Sequence, residues 1–434
     1  MIYILAMLNL MCFVLNYLHA GKYLFNPAVV YTFSFTFFSF LCCIANLYMG
    51  IDINDWKTIF FIVFGDVAIT VACWKQNKIS VGKTHDKTLK INWIFSIIAV
   101  ITLIITMYVQ YEYIMAFGAS AGGGDFFECA VKYKIAITFQ DADDMKVLPP
   151  FYLGYIKTIS SIFGYVFMLE FFYEKICRNR THWLYIIIII LYLLYSMMNA
   201  SRSEAFHYIT AMAFIWYFFT IRKKGMSYNR KILKLFAIMT VVLAIFMVSF
   251  VYITGRTQND VDIDYMVSSI FVYAGAPIFN LDTYLSNPWL SNKNIFGAMT
   301  FIRLINWMGG KFDISNLRYP LDLPFLSYGN YNLGNVYTTY YAFYYDFQFI
   351  GTIILTIVMA IICAVIYRLS KKQYRSVVNS HFMILLYAII VNNIVMLPFS
   401  NRIFEWVNIG TFYQLIGSYI FIYLLYGFRR IKIT

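Results

Sequence analysis

The sequence predicts an all-α polytopic membrane protein with about eleven transmembrane helices and one large outer loop. Three observations carry that expectation. Of 434 residues, 61% are apolar and only 13% charged, about half the charged share of an ordinary soluble domain. Apolar runs of about 17 to 22 residues recur from end to end, matching the ~20 residues that a helix needs to cross a bilayer. The cations are also unevenly placed, crowding into alternate loops as cytoplasmic connectors do.

Taken in order, the apolar runs place spans at about 1–20, 27–48, 58–74, 93–116, 151–173, 184–200, 205–221, 235–254, 349–367, 381–398 and 405–426. The first lacks a basic leader and a small-residue cleavage site before Gly21-Lys22, so it reads as a retained helix. The third is short and contains Asp66. The sixth and seventh are separated only by Ser201-Arg202-Ser203-Glu204, so they form either two crossings or a re-entrant pair. By domain, residues 1–254 carry eight spans with short loops, 255–348 form the large loop, and 349–434 carry the last three spans.

Alternate sides then assign 21–26, 75–92, 174–183, 222–234, 368–380 and 427–434 to the cytoplasm. These segments hold 22 of the 34 Lys and Arg but only two acids, Asp86 and Glu174. The N-terminus is therefore expected outside and the C-terminus inside. The net charge of +13 is topological and implies no nucleic-acid partner. None of the cytoplasmic connectors is long enough to fold a nucleotide-binding domain, which argues against an ATP-driven pump and a cytoplasmic nucleotide-sugar transferase. No internal repeat marks a two-halved transporter. The seven cysteines show neither CxxC nor Cys/His ligand spacing, so no metal is expected.

Candidate chemistry collects on the outer side. The turn Asn199-Ala-Ser-Arg202-Ser-Glu204-Ala-Phe-His207 places a cation, an acid and an imidazole within six residues. Glu204 and His207, three apart, share a helix face. The turn is either a reactive cluster or an interfacial cap with a local Arg–Glu pair. Arg256, Arg303 and Arg318, with Lys293 and Lys311, lie in the long loop, and Arg402 lies between the last two spans. Arginines on a face that should be acidic need a reason. One is a phosphate-containing lipid, which the guanidinium fork binds bidentately; the other is pairing with the loop's many Asp residues and Glu405. Asp141-Ala-Asp143 reads better as a solvated turn than as a metal-binding DxD. Gly122-Gly-Gly124 lacks the Lys-Ser/Thr of a phosphate loop and reads as a flexible linker. The other histidines, His19, His85, His182 and His381, fall at inner-side edges or loops.

The run from Gly334-Asn335-Val-Tyr337 to Asp346-Phe347-Gln-Phe-Ile-Gly351, entering a span, resembles the end of the long periplasmic loop in Wzy-type O-antigen and oligosaccharide repeat-unit polymerases. The Ser201-Arg202-Ser203 turn and Tyr273-Ala-Gly-Ala-Pro277-Ile-Phe-Asn280 resemble it as well, and Arg318 precedes Gly334 by the Arg-x15-Gly spacing of such loops. The likeness covers about residues 195–365. Gln348 departs from it, standing where a Gly is expected after Asp-Phe, and Arg256 has no Gly at the fifteen-residue spacing.

The resemblance implies a GT-C-like membrane enzyme of the bacterial inner membrane. Without cofactor or metal, it would transfer a growing glycan from undecaprenyl diphosphate onto a new lipid-linked repeat unit at the periplasmic face. Its implied partners are undecaprenyl-diphosphate-linked oligosaccharides, inner-membrane lipids and a chain-length regulator protein. Arg202, Arg256, Arg303, Arg318 and Arg402 would hold the diphosphate, whose developing charge needs fixed cations. Glu204, His207 and Asp346 are candidate bases for the sugar hydroxyl, with Glu204 preferred and Asp346 also able to cap or anchor its helix. An O-antigen ligase and a lipid-linked oligosaccharide flippase are the alternatives.

Overall fold

The computed structural model describes residues 1–74, 93–138, 151–198, 202–234, 263–289, 296–317, 323–329 and 331–427. The helices in chain order are α1 (Ile2–His19), α2 (Pro27–Met49), α3 (Trp56–Cys73), α4 (Trp93–Ser120), α5 (Phe126–Thr138) and α6 (Phe151–Phe172). A π-helical turn, Tyr173–Cys177, extends α6. Then come α7 (Trp183–Met197), α8 (Arg202–Lys224), α9 (Ile263–Ser286), α10 (Ile302–Lys311), α11 (Thr339–Lys371), α12 (Val377–Val395), α13 (Arg402–Glu405) and α14 (Ile409–Gly427). The chain is an all-α polytopic membrane protein with one small addition, a hairpin of β1 (Leu326–Tyr328) and β2 (Tyr331–Gly334).

Eight helices among the described residues are long and apolar enough to cross a membrane: α1, α2, α3, α4, α6, α11, α12 and α14. The expectation of eleven divides as follows. The eighth expected span, 235–254, lies outside the described residues. α7 is apolar but has only 15 residues, about 22 Å of helix against a hydrocarbon core of ~30 Å. α8 has the length, at 23 residues, but carries Arg202 and Glu204 at its start and Arg222, Lys223 and Lys224 at its end.

The chain forms two compact units. The first gathers residues 1–78, 259–368 and 390–409; the second gathers 79–258, 369–389 and 410–434. In the first unit α2 packs against α1, α3 and α9. Asn26 caps α2 by accepting the Ala28 N–H at 3.0 Å, with Pro27 fixing the first turn. Gly65 on α3 is required by close approach, because a Cβ there would sit 1.9 Å from the Tyr340 hydroxyl and 2.1 Å from that of Tyr31. Asp282 of α9 takes the N–H groups of Asn54 (2.9 Å) and Asp55 (3.0 Å) and the Thr58 hydroxyl (2.8 Å). A carboxylate thus closes the positive end of α3. Burial raises the Asp282 carboxyl above its ordinary value, and the three donors oppose that rise.

In the second unit α4, α6 and α7 pack on one another and α8 packs on α6 and α7. The Tyr208 hydroxyl donates to the Gly164 carbonyl at 3.0 Å, and a Cβ on Gly164 would meet the Tyr192 ring at 2.4 Å. Gly122-Gly-Gly124, expected as a flexible linker, follows α4 in a tight turn that folds α5 back on it; a Cβ at Gly123 would lie 2.8 Å from Cys129 Sγ, and one at Gly118, in the last turn of α4, 2.2 Å from Cys129 Cβ. Here glycine serves contact between helices, a pairing that local composition does not display.

Candidate functional site

Two of the five candidate diphosphate arginines meet in the first unit. Arg303, in the first turn of α10, and Arg402, at the start of α13, both reach Oε2 of Glu405, at 3.7 and 3.5 Å. Arg303 is half exposed and Arg402 mostly covered. Two guanidiniums on one carboxylate leave a net positive charge, and Glu405 occupies the position that a phosphate oxygen could take from either fork.

A polar frame holds these arginines together. Asp346 accepts the backbone N–H of Met299 on one oxygen (3.1 Å) and that of Thr300 on the other (2.6 Å). Thr300 lies three residues before Arg303. Its hydroxyl donates to the Ala342 carbonyl at 3.3 Å, and its own carbonyl accepts from the Asn401 side chain at 3.0 Å. Asn401, next to Arg402, accepts in turn from the Thr339 hydroxyl at 3.3 Å. Thr300 therefore ties the segment that carries Arg303 both to α11 and to the turn that carries Arg402. Phe404 packs edge-on against Phe301 and Phe343 beneath this frame.

The position of Asp346 follows from a break in α11. Gln348 has φ 55° and ψ −160°, a region that is essentially glycine-only. The departure noted in the sequence therefore falls where a glycine conformation is used. Across the break the chain folds tightly, and a Cβ on Gly351 would lie 2.0 Å from Phe347 Cβ. The helical segment 339–347 is thereby set off from the apolar run that follows and holds Asp346 over Met299 and Thr300.

Asn280, Gly334, Asn335 and Tyr337 come together at the hairpin. The Asn280 side chain donates to the carbonyl of Val336 at 2.8 Å and lies 3.4 Å from those of Leu333 and Gly334. Gly334, at φ 71°, ends β2, Asn335 makes the turn that follows, and Tyr337 donates to the Pro324 carbonyl at 2.8 Å from a buried position. Tyr337, Tyr341, Tyr284 and Trp289 form one cluster of tilted and edge-on rings beside it.

Glu204 and His207 lie in the first two turns of α8, in the second unit. Glu204 is exposed and His207 half-buried. The Glu204 charge is felt by Lys157 of α6, by Tyr133 of α5 and by Tyr192 and Tyr195 of α7, a phenol-rich surround that sequence spacing did not reveal. Arg202 starts the same helix, whereas Ser201, Arg256, Lys293, Arg318 and the Asp141–Asp143 pair lie outside the described residues. Among the described residues no group of three or more His, Cys, Asp and Glu is arranged to hold a metal. No protein-family model, characterised protein or solved structure matches the chain.

Proposed function

We propose that this chain is an O-antigen or related oligosaccharide repeat-unit polymerase. In this reading the basic connectors face the cytoplasm of a bacterial inner membrane, and the segment from α9 to the start of α11 lies on the periplasmic side. The enzyme moves a growing glycan from undecaprenyl diphosphate to a hydroxyl of the next lipid-linked repeat unit. The bond between the terminal sugar and the diphosphate breaks, the new glycosidic bond forms, and undecaprenyl diphosphate leaves. The energy resides in the lipid-linked sugar.

The observation that carries this reading is the convergence of Arg303 and Arg402 on Glu405. A departing diphosphate gains negative charge, and a preorganised guanidinium pair is the kind of group that stabilises it. In this scheme the diphosphate displaces Glu405 from Arg303 and Arg402. Asp346 serves as a positioning residue, because both of its oxygens are already engaged with backbone N–H groups. From the sequence alone, Glu204 stays the preferred base, with His207 on the same helix face orienting it or taking its place.

Deleting the gene and examining lipopolysaccharide banding tests the reading. Loss of a polymerase leaves core carrying a single repeat unit. Core without any repeat unit would instead point to a ligase or flippase and overturn the proposal.

A further inference from the structure

The second unit contains a buried cluster that glycan transfer does not use. Glu170 near the end of α6, His381 near the start of α12 and Tyr426 near the end of α14 come together with no access to solvent for the carboxylate and almost none for the imidazole. His381 Nδ1 lies 2.9 Å from Glu170 Oε1, the Tyr426 hydroxyl donates to Glu170 Oε2 at 2.6 Å, and that hydroxyl is 3.1 Å from His381 Nδ1. Three elements from distant parts of the chain thus converge on one carboxylate. Such a group inside an apolar bundle is costly to keep, and ionisable residues there mark ion or proton sites.

A line of ionisable groups leads away from the cluster. One turn beyond Glu170 the helix widens into the π-helical turn Tyr173–Cys177, a form of local irregularity frequent at functional sites. That turn presents Glu174, which is itself buried. Glu174 Oε1 pairs with Arg178 at 2.8 Å, while Oε2 faces His182 Nε2 at 3.9 Å. Neither of those two facing atoms has a hydrogen-bond partner among the described residues; at such a separation one water can bridge. His182 stands in the loop before α7, among Lys175, Arg178 and Arg180. Burial and the Arg180 charge lower its imidazole from the ordinary value.

We propose that Glu170, His381 and Tyr426 form a proton-binding site, loaded from the basic end of the bundle through Glu174 and His182. His381 keeps its Nδ1 proton, donated to Glu170 Oε1, and the exchanging proton is gained or lost at Nε2. Tyr426 donates to Glu170 Oε2 in both states. The Glu170–His381 pair therefore passes between net charge −1 and 0, and the proton moves without any covalent change. The site joins α6, α12 and α14, so its charge state bears on how those three helices pack.

The surroundings account for the remaining charges. Tyr173 sets its ring edge-on to His381 at 4.5 Å and also carries the Arg178 guanidinium at 5.0 Å. Phe219 of α8 adds an apolar wall. Tyr185 of α7 lies within reach of the Glu170 and Glu174 charges. Arg222, near the end of α8, acts on Tyr173 and Cys177, and Lys223 acts on Cys177.

The test uses the full chain with ring-labelled histidine in lipid nanodiscs, followed by infrared difference spectroscopy on stepping pH across about 5 to 8, the range where imidazole titrates. The expected result is an imidazole signal that changes with pH, disappears in His381→Gln and shifts in Tyr426→Phe, a variant that keeps the ring and removes one hydroxyl. In Glu174→Gln the same signal should appear several-fold more slowly after a pH jump. A wild-type spectrum in which no signal lost in His381→Gln changes with pH would overturn the site. A shift absent in Tyr426→Phe would do the same, and an unchanged rate in Glu174→Gln would overturn the loading route.

Discussion

Asp346 holds the backbone N–H of Thr300 at 2.6 Å, so a residue at the entrance to a membrane span fixes the chain three positions before Arg303. Asp346→Asn turns one acceptor into a donor facing an N–H group. It should cost on the order of 2 kcal/mol of local stability and cut glycan elongation steeply. On the proposed positioning role the loss should be equal at every pH, with a raised KM for the diphosphate-linked glycan. A pH–rate profile of the purified variant checks this; a loss confined to one pH limb would make Asp346 the base.

Arg303 and Arg402 share Glu405, and the guanidinium fork is what a diphosphate needs. Arg303→Lys and Arg402→Lys keep the charge and lose the fork. Each is expected to weaken binding of undecaprenyl diphosphate about tenfold, equivalent to 1.4 kcal/mol, at unchanged protein level. Glu405→Gln removes the competing carboxylate and should tighten that binding. Equilibrium binding to the three purified variants provides the measurement.

Gln348 occupies a backbone conformation suited to glycine, and Gly351 accommodates Phe347. Gln348→Gly should raise the unfolding midpoint, relieving strain of about 1–3 kcal/mol less the entropy cost of glycine. Gly351→Ala should lower it, because the added methyl forces Phe347 or the helix to move, an overpacking effect of about 1–3 kcal/mol. Thermal unfolding of both variants in detergent reads the two opposite signs.

The proposed orientation rests on the cation distribution. Single cysteines in an otherwise cysteine-free background, at Ser227 and at Asp313, should be labelled by impermeant reagents from opposite sides, Asp313 from outside intact cells and Ser227 only after permeabilisation. The reverse pattern would place the arginine pair on the cytoplasmic side and end the proposed mechanism.

Eight of the eleven expected spans were legible because apolar length is a local property; among the described residues the helices follow the apolar runs to within a few residues except at α11. That helix begins ten residues earlier, since 339–347 is held by contacts with Thr300 and Asn401 that no local pattern displays. The grip of Asn280 on Val336 and of Asp346 on Thr300 joins residues about fifty apart, and spacing alone cannot announce such pairs. The break at Gln348 was visible as a departure from an expected glycine, but its geometry was not. Gly122-Gly-Gly124 misled because glycine serves both linkers and close helix contacts, and the approach of Cys129 to Gly123 distinguishes them here. The Glu170–His381–Tyr426 cluster was hidden for the same reason: its members are 45 or more residues apart in sequence.

The central claim is tested most directly by giving the purified chain a single substrate, the undecaprenyl-diphosphate-linked repeat unit, and resolving the products by length. A polymerase yields a ladder of glycans on undecaprenyl diphosphate with stoichiometric release of the free lipid diphosphate, abolished in Glu204→Gln although that variant still binds substrate. Repeat units that stay single in the wild type, or that elongate only when a lipid A core acceptor is added, would contradict it.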